Sequence, residues 1–139
     1  MPAKPFVLAV KAVILDERGR CLLIRRSPHN RSFVGSWEWP GGKVDAGEDY
    51  ATAVVREARE ETALDVEITG LAGAMQFEMP KVSVVLLCME VRQLGGSLKL
   101  SEEHDDAAWV ALEDFSKWEI TEHTKAFMLE YATKRRSLP

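Results

Sequence analysis

The sequence predicts an α/β fold, and three observations predict it. Apolar runs rich in valine, leucine and isoleucine, at Phe6–Leu15 and Val82–Arg92, read as buried strands. A glycine-rich stretch, Gly41–Gly47, runs into a helix whose charged and apolar residues fall on different faces. A second helix, Thr121–Lys134, closes the chain with Phe127, Met128 and Tyr131 on one face as core packing. A chain of 139 residues can bury one real core but not two, so one domain over 1–139 is expected.

The elements follow in order. Phe6–Leu15 is a long, largely buried strand, Asp16–Gly19 a turn, and Cys21–Arg25 a second strand pairing back on the first. Ser27–Ser36, punctuated by Pro28, Asn30 and Gly35, is a loop. Trp37–Trp39 is a short strand stopped by Pro40-Gly41-Gly42. The helix is expected from about Asp49 to Thr62, with Asp49 as N-cap and Ala51, Val54, Val55 and Ala58 as its apolar stripe. Val66–Met79 is a strand region interrupted by Gly70 and Gly73, and Leu94-Gly95-Gly96 a hairpin-type turn after Val82–Arg92. Leu98–Leu100 and Ala107–Leu112 read as further strands, and Glu113–Trp118 as a short helical turn.

Composition excludes several classes. Hydrophobic residues at 46% with 29% charged residues describe a globular chain rather than a disordered one. A net charge of −4 argues against a nucleic-acid duplex as partner, which calls for a basic face. Lys134-Arg135-Arg136 reads as a complement to a helix dipole. Cys21 and Cys88 lie within apolar runs and read as small buried hydrophobes, so a reducing cytoplasm is the expected setting. Phe6–Leu15 is broken by Lys11, falls short of the roughly 20 residues that span a membrane, and precedes no small-residue cleavage site. His29, His104 and His123 have no ligand spacing among them, which argues against zinc.

The chemistry concentrates in the first helix. Glu57, Glu60 and Glu61 stand at i, i+3 and i+4, so three carboxylates share one face. Their repulsion costs roughly 0.2–0.5 kcal/mol per neighbouring pair, which a cation removes. Hard oxygen ligands favour Mg²⁺, with Mn²⁺ as a substitute. Arg56 and Glu60, at i and i+4, can pair, and Gly41 can offer a carbonyl to a metal with no side chain intervening. An acidic helix of this kind is also a common solvated surface.

The surroundings decide between the two. Gly42, Glu48, Arg56, Glu57, Glu60, Glu61 and Leu64 match G-x5-E-x7-R-E-U-x-E-E-x-G-U in type and spacing, with Ala58 in the first aliphatic position. The segment resembles the Nudix box, and the chain is identified as a member of that family, similar to its MutT-like branch. One position departs: Ala63 stands where the family has its second glycine, at a site where a left-handed C-cap costs alanine on the order of 1 kcal/mol.

The resemblance implies an α/β/α sandwich, a mixed sheet between the box helix and the C-terminal helix. It implies Mg²⁺-dependent hydrolysis of a nucleoside diphosphate linked to a further group. Carried over by position, Glu57, Glu60, Glu61, Gly41 and Glu103 would hold the metal, with Glu102 as the alternative to Glu103. Glu57 or Glu60 would serve catalysis and Arg56 would orient the glutamates. Trp39, Arg26 and Glu48 would contact substrate or support the metal shell; Trp39 reads equally as core and Arg25 or Arg26 as a solvated strand end. Glu122 or His123 would read the base, since the branch's usual asparagine or aspartate is absent from Glu119–His123. The expected activity is a nucleoside triphosphate pyrophosphohydrolase giving monophosphate and pyrophosphate. ADP-ribose or nucleotide-sugar hydrolysis, suggested by the position of Pro80, and a silent nucleotide-binding module are the alternatives. The small nucleotide is the expected partner, with no membrane, and the protein a monomer or homodimer.

Overall fold

The computed structural model describes residues 3–138. Among the described residues are seven strands: β1 Phe6–Ile14, β2 Cys21–Arg26, β3 Trp37–Glu38, β4 Gly41–Lys43, β5 Leu64–Glu78, β6 Ser83–Gly96 and β7 His104–Val110. Helix α1 spans Tyr50–Thr62 and α2 Glu122–Arg136, with a 3₁₀ turn at Leu112–Lys117. The strands form two sheets where one was expected. A four-stranded sheet runs β4-β1-β6-β5, and a three-stranded antiparallel sheet runs β3-β2-β7. The larger sheet is mixed, because β1 and β6 pair in parallel from Phe6↔Ser83 to Ile14↔Val91. Beyond the turn that joins them, β1 and β2 share one isolated bridge, Leu15↔Cys21. From there β1 pairs with β4 and β6, whereas β2 pairs with β3 and β7.

Strand alternation builds a core on each side. Val10, Ala12 and Ile14 of β1, Leu22 and Ile24 of β2, and Met89 and Val91 of β6 pack with Ala53, Val54 and Ala58 of α1. The intervening Val13, Cys21, Leu23 and Cys88 pack with Phe115 of the 3₁₀ turn and with Met128, Tyr131 and Ala132 of α2. Both thiols are buried, which pushes Cys88 up to about 12 and Cys21 further still. No helix among the described residues is long and apolar enough to cross a membrane.

Four element readings change. Gly70 and Gly73 pair with β6 next to bulges at Thr69 and Ala72, within a continuous β5 that they do not interrupt. Gly95 and Gly96 belong to β6 and pair with Asp65 and Leu64, so the hairpin turn lies instead at Met79–Val82, closed by Met79 N–H donating to Val82 O (2.9 Å). Leu98–Leu100 is not a strand. Its backbone serves α1: Lys99 N–H donates to Thr62 O (2.9 Å) and Ser101 N–H to Glu61 O (3.2 Å). These bonds satisfy carbonyls that a helix end leaves open. β7 starts at His104, three residues before the expected strand, as Arg26↔His104 extends its pairing past a bulge at Asp105 of β7.

Candidate active site

Helix α1 begins and ends as its sequence dictates. The Asp49 carboxylate accepts from Thr52 N–H (2.7 Å), and Ala63 closes the helix at φ 61°, ψ 18°, in the left-handed region. Its buried face differs from the expected stripe. Ala53, Val54 and Ala58 are buried, Ala51 and Val55 only partly, and Glu61 and Thr62 join the buried set. The acidic and apolar faces therefore overlap at Glu61.

The three glutamates on the acidic face of α1 occupy three environments. Glu60 is largely exposed, Glu57 is mostly shielded, and Glu61 is 5% exposed. Burial pushes Glu61 up to about 8; Lys11 and the Gly41 N–H, which donates to Glu61 Oε1 at 2.7 Å, only partly offset it. Burial also raises Glu57, against the pull of Arg56. Gly42 is small for a reason the box alone does not reveal. A Cβ there would stand 2.8 Å from the carboxyl carbon and both oxygens of Glu57. At Gly41, φ is +155° and a Cβ would stand 2.0 Å from Val10 O, so only glycine fits where β4 pairs with β1.

Arg56 ties the acidic groups together. Its Nε and Nη2 donate to the two oxygens of Glu48 (2.7 and 2.8 Å), Nη1 to Glu57 (3.0 Å) and Glu60 (3.1 Å), and Nη2 to Lys43 O (3.1 Å). Its hydrogen bonds hold Glu48 at about 2. Glu48 is thus engaged with Arg56 through both of its oxygens.

A cleft of about 520 Å³ is lined by Gly41–Lys43, Glu57, Glu60, Glu61 and Ser101–Glu103. The backbone bonds from Lys99 and Ser101 to the end of α1 carry Glu102 and Glu103 to this cleft. Beside it lies a cavity of about 260 Å³ that shares Gly41, Gly42 and Lys43 and is walled by Phe33, Phe77, His123 and Lys11. His123 stacks on Phe77 (centroids 4.7 Å apart, planes at 9°) and meets Phe33 edge-on at 5.1 Å. A larger cavity of about 610 Å³ at the β1–β2 turn shares no residue with the acidic cleft.

Of the residues expected to read the base, His123 reaches this cavity, while Glu122 is exposed and not among its lining. Arg26 also lines it, with Nε donating to Ser32 O (3.0 Å) and Nη1 to Glu38 (3.1 Å). Arg25 pairs with Asp105 at 2.8 Å. Trp39 is a correction: it is 1% exposed and packs edge-on against Phe115, Phe127 and Tyr131. A ring enclosed by other rings has no face left for a nucleobase.

The sequence reading missed Phe33, Phe77, Lys11, Glu38 and His104. Glu38 and His104 are buried and joined by His104 Nε2 to Glu38 Oε2 at 2.8 Å. Burial alone would raise Glu38, but Lys11, His104 and Arg26 prevail and hold it at about 2. The only local signal was alternation, which sets Glu38 on the other side of its strand from Trp37 and Trp39.

The donor set fits a divalent cation. It offers hard carboxylates, and ligand atoms of Glu61, Glu103 and His104 lie within 4.8 Å of one another. Ser101 Oγ and His104 Nδ1 are buried here without hydrogen-bond partners.

The chain is similar to known proteins in sequence and in fold. Residues 5–131 match a family model described as the NUDIX domain. A MutT-like protein of Streptomyces ambofaciens is 32% identical over 110 residues, 79% of this chain and 67% of the relative. An ADP-ribose pyrophosphatase of Methanocaldococcus jannaschii is 32% identical over 106 residues, covering 75% of this chain and 62% of the relative. A CTP pyrophosphohydrolase of Escherichia coli is 31% identical over 108 residues, 78% of each chain. The crystal structure of a MutT protein from Methanosarcina mazei Go1 superposes with a TM-score of 0.87 at 30% identity, over 99% of this chain and all of the other.

Proposed function

We propose that this chain, which belongs to the Nudix family and is a hydrolase acting on pyrophosphate bonds, cleaves nucleoside triphosphates to monophosphate and pyrophosphate with Mg²⁺. The observation that carries the reading is the shared wall of two cavities. The strand Gly41–Lys43 separates an aromatic cavity from a carboxylate cleft, so one ligand can lay its base on one side and its phosphates on the other. The triphosphate reading draws on the relatives whose names point to it, the E. coli CTP pyrophosphohydrolase among them. Nucleotide-sugar hydrolysis is the second reading, supported by the equally similar M. jannaschii relative. The 139 residues act as one domain in either case.

Glu57, Glu60, Glu61 and Glu103 would hold the cation, and Glu57 or Glu61 would accept the proton of the attacking water. A bound Mg²⁺ supplies neutralisation of the phosphate charge, the main requirement of substitution at phosphorus. Arg56 keeps Glu57 and Glu60 from swinging apart, and Glu48 keeps Arg56 in place. Phe33, Phe77 and His123 orient the base, with Arg26 and Lys11 also lining the cavity.

A screen of nucleoside triphosphates, oxidised nucleotides and nucleotide sugars, with products identified, tests the substrate class. His123→Ala should raise KM for the preferred nucleotide about 10- to 100-fold, the range of one aromatic stacking contact, and leave a base-free polyphosphate ester unaffected. Equal effects on both substrates would remove the base from this cavity.

A further inference from the structure

His104 begins β7, and its imidazole is 1% exposed, yet only one ring nitrogen is satisfied. Nε2 lies 2.8 Å from Glu38 Oε2. Glu38 is itself buried, with Arg26 Nη1 at 3.1 Å and Lys11 Nζ at 3.5 Å, so two cations keep it a carboxylate. A carboxylate only accepts, so Nε2 carries the hydrogen of this bond and Nδ1 is the ring nitrogen left for another ligand. Nδ1 has no partner and faces Glu61 Oε2 across 4.0 Å. That gap is too long for a hydrogen bond and is slightly less than two metal–ligand bonds of roughly 2.1 Å laid end to end. Two ligand atoms thus face each other in a buried site at the spacing of one bridging cation, and Nδ1 has nothing else to bind. The exposed Glu103 borders the same point and leaves it open to the cleft.

A histidine that ligates a metal through one nitrogen usually donates its other N–H to a carboxylate, which fixes the tautomer. Glu38 and His104 have that relation. We infer that His104 Nδ1 is a nitrogen ligand of a divalent cation shared with Glu61 and Glu103, with Glu38 as the carboxylate behind the ring. The inference rests on the metal-dependent reading above and adds a donor that the acidic helix does not supply. Its consequence is a preference: a nitrogen in the donor set favours Mn²⁺ and later transition metals over Mg²⁺, which holds to oxygen ligands and water.

The test uses the full chain with one equivalent of Mn²⁺ and no nucleotide. Electron spin-echo modulation reads nitrogen bound to Mn²⁺, and calorimetry gives the Mn²⁺ and Mg²⁺ affinities. Wild-type protein should show the nitrogen modulation. In His104→Gln the amide can still donate to Glu38 but puts no lone pair at the Nδ1 position. The modulation should vanish, the Mn²⁺ Kd rise about 10- to 100-fold, and the Mg²⁺ Kd change by less than about threefold. Mn²⁺ bound by wild-type protein without nitrogen modulation overturns the assignment, whether or not the variant folds. Modulation that survives intact in His104→Gln overturns it as well. Failure of wild-type protein to bind either metal, with or without nucleotide, removes the metal-dependent reading itself.

Discussion

Gly42→Ala isolates the placement of one carboxylate. A methyl group at this position would meet the carboxyl carbon and both oxygens of Glu57 at 2.8 Å. Ordinary contact begins near 3.5 Å, so the carboxylate must retreat by roughly 0.7 Å. Gly42 is not among the glycines with positive φ, so alanine adds no backbone strain. The group that yields is the far end of a side chain, and the fold should lose little; a melting temperature within about 2 °C of wild type is expected. Rate should suffer more, because a displacement near 1 Å in a catalytic site costs on the order of 100-fold. The 3.0 Å bond from Arg56 to Glu57 must lengthen or re-form at the same time. Initial rates of pyrophosphate release at saturating nucleotide and Mg²⁺, measured beside thermal melts, separate the two effects. A loss of 10- to 100-fold in kcat at unchanged stability is the expected result. Full activity would show that the position of Glu57 is immaterial to catalysis and would refute the reasoning.

Glu61 bears on pH dependence. Burial raises it from 4.5 to about 8, so the metal-free folded protein holds a proton that the unfolded chain releases. Stability should therefore fall as pH rises from about 4.5 to 8, and Glu61→Gln should flatten that slope in melts across the window. Mg²⁺ affinity should climb through the same window, since the cation displaces the proton, and calorimetry at several pH values reads it. Ala63→Gly relieves a left-handed alanine and should raise stability by up to about 1 kcal/mol, a few degrees in melting temperature, at unchanged kcat; a lower melting temperature would count against it. Trp39→Ala should cost roughly 3–5 kcal/mol of stability and depress every activity alike, whereas a nucleotide-specific KM effect would contradict its place in the core.

The acidic helix, its Asp49 cap and its left-handed end at Ala63 were legible in the sequence because each depends on residues a few positions apart. The spacing of Glu57, Glu60 and Glu61 is likewise a local fact, and the matching pattern from Gly42 to Leu64 identified the family. Local spacing left the glutamates equivalent. Their division into an exposed Glu60, a shielded Glu57 and a buried Glu61 comes from β4 pairing along β1 and from the segment at Lys99–Ser101 tied to the end of α1. Trp39 looked the same as a stacking ring or as core until Phe115, Phe127 and Tyr131 closed around it. Glu38 and His104 lie 66 residues apart, so no periodicity relates them. They meet because β2 pairs with β3 on one side and β7 on the other. Burial and long-range pairing are properties of the assembled sheets, and they decide which carboxylate holds a proton and which imidazole nitrogen is left without a partner.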